Sequence, residues 1–479
     1  MQTIIRLTDN YSDSENIIFP VTDLKHVNKE LFDTGELEYM KSFLRDHKQK
    51  NFSFNRLGTW LHVLLIERES EKSARLETYR ETGAKITPAV NEHKIDSVIV
   101  VDAEDKPEEI LAFAEGMALK NYQFLKYKSK PDDELNTLST IYIGSKKVVQ
   151  EEVDRLNIVV DAVSRARNMV NEPVATLNAV ALAGEIEKMG KESGALVEVF
   201  NRKKIESLKM GGLLAVNRGS VDPPTFSIIE WKPENAVNKK PVVLVGKGVV
   251  YDTGGMNIKT GNFMNDMKMD MAGGAAVASA VYAVAKAKVP MHVIALVPAT
   301  DNRTHGNAYV SGDVITMYDG TRVEVINTDA EGRMLLADAL GYAKKYDPEL
   351  VIDVATLTGS AMRAIGNYGV VGMQSNAGKE FNRLKQCGEE VYERLVEFPL
   401  WKEYAEELKS DIADIKHLGG SNAGAITAGK FLEHFTDYPF IHLDIAGPAF
   451  MEKAYKYYPA GGSGIVVRLL FKYLLDKTV

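Results

Sequence analysis

The chain has 479 residues, 45% of them apolar and 26% charged, with a formal net charge of −8. At about 150 residues per domain this corresponds to two or three domains with a sizeable core, and the acidic balance argues against general attraction to nucleic acid or an anionic membrane. The single cysteine, Cys387, excludes an internal disulfide framework and any zinc site built from paired cysteines. Any metal must have other ligands.

Met1 to Asn10 lacks a basic region followed by an apolar stretch, so no secretory signal is expected. The spacing of apolar residues predicts one helix over Val27 to Lys50, and the runs Leu61 to Ile66 and Ser97 to Val101 read as apolar elements of an α/β domain. Lys146 to Val170 carries apolar residues at helical spacing, and Pro173 predicts its end at Asn171-Glu172. Beyond it, Pro241 to Val245, Met291 to Val297, Arg322 to Ile326 and Glu349 to Val354 read as strands separated by helical segments. The Gly- and Ala-rich run Met271 to Ala285 is too short to span a bilayer and reads as a buried helix. The expected architecture is α/β: an N-terminal α/β domain over residues 1–148, a connecting helix over 149–170, and a larger domain over 171–479. That larger domain should have a central mixed, largely parallel sheet flanked by helices. With few features of export, a cytoplasmic location is expected.

Three stretches place acids and bases beside glycines. In Val245 to Lys259, Lys247 leaves a buried strand, Asp252 follows five residues on and Lys259 seven after that. Open α/β sheets build their sites beyond such strand ends, although a solvated loop would look the same. In Met267 to Gly274, Asp270 stands where it could cap a helix or serve as a ligand. In Ile326 to Asp338, Asp329 and Glu331 project to the same side if the segment is extended. Two carboxylates so placed need cations, either metal ions or a clamping Arg333. Together the four acids could hold two hard or borderline divalent ions, and paired ions activate water for hydrolysis.

Asn327-Thr-Asp-Ala-Glu-Gly-Arg333 resembles the signature heptapeptide of the leucine aminopeptidase (cytosol aminopeptidase) family. Glycine-flanked Lys247, Tyr251-Asp-Thr-Gly-Gly255, Met269-Asp-Met-Ala-Gly-Gly274, Asp353 to Gly359, Ala423 to Ala428 and His442 to Gly447 are similar to further family motifs, in the same order. Met334, Tyr251 and Ala272 stand where that family more commonly has leucine, phenylalanine and glycine, and none of these exchanges removes a functional group. The resemblance spans roughly residues 165 to 475 and is looser before that.

The resemblance implies that residues 171–479 form a catalytic dinuclear-metal peptidase domain. The tighter metal site would use Lys247, Asp252, Asp270 and Glu331, and the more exchangeable one Asp252, Asp329 and Glu331. The ions would be zinc or manganese, with magnesium and cobalt as alternatives. It further implies hydrolysis of N-terminal residues, Leu and other apolar ones preferred, from short peptides by a metal-bridged water. Lys259 would stabilise the developing negative charge, and Arg333 would hold a bicarbonate ion acting as general base. Met267, Thr356, Gly359, Ala446 and Ala449 would line the pocket for the first side chain. A homohexamer without membrane attachment is implied as well. The alternative is a DNA-binding or regulatory protein on the same scaffold, which the acidic balance disfavours.

Overall fold

The computed structural model describes residues 3–12 and 14–478. The chain divides into two compact units, Met1–Asp161 with Lys453–Pro459, and Ala162–Glu452 with Ala460–Val479. The division falls inside the helix Gln150–Asn171, which ends two residues before Pro173.

The first unit is built on a six-stranded sheet in the order Ile4–Leu7, Thr140–Gly144, Ser97–Val101, Ile17–Val21, Trp60–Leu65, Asn51–Asn55. Only the last pair is antiparallel. Ile17–Val21 is buried at every residue, as a central parallel strand should be. The single helix expected over Val27 to Lys50 is corrected by the structure. Two 3-10 turns, Leu24–His26 and Lys29–Leu31, precede a helix that begins only at Thr34 and runs to His47. Extended Phe32 breaks the periodicity, and Asp33 with Glu36 forms a capping box that fixes the later start. A distant segment completes this unit: Lys456 and Tyr457 both donate to the buried Glu77 carboxylate, at 3.0 Å each.

The second unit holds a nine-stranded mixed sheet. Its path is Leu395–Glu397, Val370–Ser375, Phe440–Asp444, Leu350–Ala355, Val242–Gly246, Val293–Asn302, Thr225–Trp231, Leu196–Phe200, with Gly248–Asp252 pairing against Val293–Asn302. The four central strands are parallel, and antiparallel partners flank them. The helix Ala272–Lys286 packs against three of those central strands. It is buried from Ala272 through Ala285, which is why small residues fill it all round. The expected strand over Arg322 to Ile326 is shorter and lies elsewhere. Arg322–Glu324 belongs to a separate three-stranded sheet with Val314–Thr316 and Ile415–Lys416. Among the described residues no helix is long and apolar enough to cross a membrane.

Candidate metal centre

Parallel strands deliver polar residues to one edge of the sheet as they end. Val242–Gly246 leads into Lys247, Gly248–Asp252 ends on Asp252, Leu350–Ala355 leads into Thr356, and Phe440–Asp444 ends on Asp444. Asp270 comes from the 3-10 turn Met267–Met271, and Asp329 and Glu331 from the irregular segment between Arg322–Glu324 and the helix Gly332–Ala343.

These residues meet. Lys247 Nζ lies 2.7 Å from Asp270 Oδ1 and 2.9 Å from Glu331 Oε1, and it donates to the Thr356 carbonyl at 2.9 Å. Lys259 Nζ lies 2.7 Å from Asp252 Oδ2 and 2.5 Å from Asp329 Oδ1. One oxygen from each of Asp252, Asp329 and Glu331 falls within 4.8 Å of the other two. Two glycines are required for this approach. A Cβ on Gly332 would stand 2.4 Å from Lys247 Cε, and Gly254, at φ +86°, could not carry one without meeting the Asn257 carbonyl at 2.5 Å.

The structure decides the alternatives that the residues alone left open. Asp270 caps no helix: neither the 3-10 turn nor the helix Ala272–Lys286 has a side-chain cap. It accepts instead from Lys247 and from the Thr356 hydroxyl, the latter at 2.8 Å. Arg333 clamps neither carboxylate of the pair. Its Nη1 donates to the His417 carbonyl at 2.7 Å, and its buried Nε has no hydrogen-bond partner. The lysines, not the arginine, neutralise the acids.

Four carboxylates against two ammonium groups leave two negative charges uncompensated. Burial, with Glu331 nearby, pushes the Asp252 carboxyl up to about 7 against the pull of Lys259 and Lys247. Burial likewise raises Asp270 well above the ordinary carboxylate range. Glu331 stays below that range although burial opposes its charge, because Lys247 and Lys259 both face it. Burial opposes the charge on Lys247 and Lys259 too, yet the surrounding acids raise both above the ordinary lysine value. Asp270 Oδ2 and Glu331 Oε2 are buried without a hydrogen-bond partner. Orphaned anionic oxygens beside an excess of negative charge suit hard divalent cations. The same cations would favour the uncharged amine that lysine ligation requires. An unpartnered guanidinium nitrogen at Arg333 suits an anion such as bicarbonate.

The five residues expected around the substrate's first side chain lie on three separate segments of the chain. Met267 opens the turn that carries Asp270, and the Thr356 hydroxyl is committed to Asp270. Gly359 begins the helix Gly359–Ile365. Asp444 gathers this region by accepting from the Leu357 amide, the Thr358 hydroxyl and the Ala446 amide. Ala449 is buried and tied through its backbone to Ile445 and Ser463, and none of its hydrogen bonds reaches the other four.

Sequence reasoning missed several supports. Asn302 Nδ2 donates to Asp252 Oδ1 at 2.8 Å and to the Thr328 carbonyl at 3.0 Å. Asn257 accepts from the Thr328 amide and donates its own amide to the Thr328 hydroxyl. Asp301-Asn302, polar residues ending an apolar strand, were a readable signal for the first of these. His417, 84 residues from Arg333, had none.

Known proteins resemble this chain in sequence and fold. The cytosol aminopeptidase family's catalytic domain matches residues 164–471, and its N-terminal domain residues 65–131. A probable cytosol aminopeptidase of Chlorobium limicola is 42% identical over 427 residues, covering 84% of this chain and 84% of its own. One from Aquifex aeolicus is 40% identical over 427 residues, 88% of this chain and 86% of its own. Among solved structures, the bottromycin maturation enzyme BotP in complex with Mn superposes with a TM-score of 0.86 at 28% identity, covering 98% of this chain and 100% of that one. A tomato leucine aminopeptidase mutant gives 0.87 at 25% identity, covering 99% and 97%. The likeness extends over both units and over the stretch that carries the acids and lysines, so the chain belongs to the cytosol aminopeptidase family and is an exopeptidase of the leucyl aminopeptidase type.

Proposed function

We propose that the chain removes N-terminal residues, preferring Leu and other apolar ones, from short peptides in the cytoplasm, using two divalent metal ions and a bicarbonate ion. The observation that carries this reading is the convergence of Asp252, Asp329 and Glu331 within 4.8 Å beside orphaned oxygens of Asp270 and Glu331. Lys247, Asp252, Asp270 and Glu331 would hold one ion, and Asp252, Asp329 and Glu331 the other. When bound, such ions supply Lewis acidity, polarising a carbonyl and making water nucleophilic near neutral pH.

The chain's own groups do the rest. Thr356 and Asn302 fix Asp270 and Asp252 by hydrogen bonds to one oxygen of each, so both carboxylates are oriented before any ligand arrives. Lys259 is less enclosed than Lys247 (13% against 3% side-chain exposure) and sits beside Asp329, the most open of the four acids. That position suits an ammonium that stabilises negative charge developing on the substrate carbonyl oxygen. Arg333 would hold bicarbonate through its unpartnered Nε, and the bound anion would supply a proton acceptor there. Met267, Thr356, Gly359, Ala446 and Ala449 would bound an apolar pocket, rewarding a larger first side chain by about 0.8 kcal/mol per methylene.

The test is hydrolysis of leucyl-p-nitroanilide before and after a chelator, then after adding back zinc, manganese, cobalt or magnesium. Activity abolished by chelation and restored by a divalent ion is expected. An active chelated protein, or no activity with any ion, sinks the reading. A homohexamer is part of the same proposal, and light scattering checks it.

A further inference from the structure

His417 lies outside every motif discussed above and is fully buried. It follows the strand Ile415–Lys416, which pairs parallel to Arg322–Glu324, and its amide continues that ladder by donating to the Glu324 carbonyl at 3.1 Å. This placement brings the imidazole against the start of the segment that carries Asp329, Glu331 and Arg333. The Ile326 amide donates to His417 Nδ1 at 3.2 Å, and His417 Nε2 lies 2.9 Å from the Asn327 carbonyl. An amide can only donate and a carbonyl can only accept, so the two contacts fix the neutral tautomer with its proton on Nε2. The backbone carbonyl of the same residue accepts from Arg333 at the segment's other end.

We propose that His417 is a positioning residue: its imidazole acts as a two-pronged fork, acceptor and donor together, that fixes the backbone entering the Asn327–Arg333 segment, while its carbonyl fixes Arg333. The inference rests on the function proposed above for Asp329, Glu331 and Arg333. Both ring nitrogens are occupied, so His417 takes no part in proton transfer, and burial together with nearby Arg333 favours the neutral ring. Asn257 and Gly254 separately hold Thr328. The segment is therefore braced at two points before any metal arrives. The rings of Phe431 and His417 pack at a steep angle with centroids 6.5 Å apart, so the helix Gly424–Glu433 buttresses the imidazole.

Two variants separate shape from hydrogen bonding. His417→Leu fills the space without either prong, whereas His417→Gln keeps one acceptor and one donor on a single planar group. Manganese affinity is measured by calorimetry on the chelated full chain, with kcat and KM for leucyl-p-nitroanilide alongside and Tm recorded for each variant. For His417→Leu, manganese binding about tenfold weaker and a comparable loss in kcat are expected, with KM little changed. His417→Gln should recover most of both. Unchanged affinity and kcat in a folded His417→Leu overturn the proposal, and so does a folded His417→Gln as impaired as the Leu variant. If His417→Leu does not fold, the Gln variant alone decides, with near-native values required. The fork is also read without activity: ring nitrogen shifts of His417, assigned by their loss in His417→Gln, should report a neutral Nε2–H tautomer. A charged ring or an Nδ1–H tautomer overturns the fork itself. Absence of metal binding and hydrolysis in the wild-type chain, with the tautomer as stated, would overturn only the functional reading.

Discussion

Each unit of this protein buries a cluster of charged side chains, and the two clusters differ in how they are balanced. In the first unit, Glu77 meets Lys456, Tyr457 and Arg80, Glu81 meets Lys456, and Glu115 meets Arg80. Each of those carboxylates faces a cation of the same unit. In the second unit, two lysines serve four carboxylates, and Asp270 Oδ2 and Glu331 Oε2 are left without a partner. Buried charge by itself therefore marks no site. A matched cluster holds a returning segment in place, whereas an unmatched one calls for ligands of opposite charge.

The contrast can be broken by substitution. The largest effect is expected from Lys259→Ala, which should lower kcat by about 10²–10³-fold if the ammonium stabilises the transition state. Its Tm should fall in the chelated protein, where Asp252 and Asp329 lose their cation, and less with metal added; a variant retaining full turnover would remove Lys259 from the chemistry. Glu77→Gln should act on stability alone. It leaves Lys456 with Glu81 and Arg80 with Glu115, so no cation is stranded and a stability loss of about 2 kcal/mol is expected from the weakened hydrogen bonds, with kcat unchanged below the unfolding transition. Denaturant titration alongside kinetics would expose a failure in either direction. Thr356→Val removes the hydroxyl that orients Asp270 and should weaken manganese binding about tenfold; calorimetry showing native affinity would mean that Asp270 is aimed by Lys247 alone.

The last effect concerns pH. In chelated protein Asp252 titrates at about 7 when folded, against an ordinary value of 3.8. Between those values the folded chain binds the proton more tightly than the unfolded one, so this group's contribution to stability falls as pH rises. Asp270 and Asp329 are raised too and add to that decline, whereas Glu331, lowered below its ordinary 4.5, is ionised in both states over this range and contributes no slope, so a net decline from pH 5 to pH 8 is expected. Added metal should abolish or reverse it. A chelated protein whose Tm rises over that range would show that the acids are better compensated than the geometry implies.

Much of the fold was legible because its signals are local. The strand Ser97–Val101 and the end of the long helix at Asn171 fall where apolar runs and Pro173 put them. The failure over Val27 to Lys50 is equally local in cause. Apolar spacing continued through Phe32, but Asp33 and Glu36 offered a capping box that starts the helix later. The strand beginning at Arg322 shows another limit. Its β character was readable, but its sheet was not, because pairing with Ile415–Lys416 depends on a segment more than 90 residues away.

The sequence by itself determined the chemical inventory: one cysteine, glycine-flanked acids and lysines in a family order, and strands ending beside them. It could not determine which charges meet. Lys247 could have faced water, Asp270 could have capped a helix, and Arg333 could have clamped Asp329 and Glu331. Tertiary structure chose otherwise, pairing lysines with acids and turning Arg333 to the His417 carbonyl. The physical reason is range. Helix caps, turns and periodicity act within a few residues, whereas a buried charge takes its partner from whichever strand end or loop the packed sheet brings near.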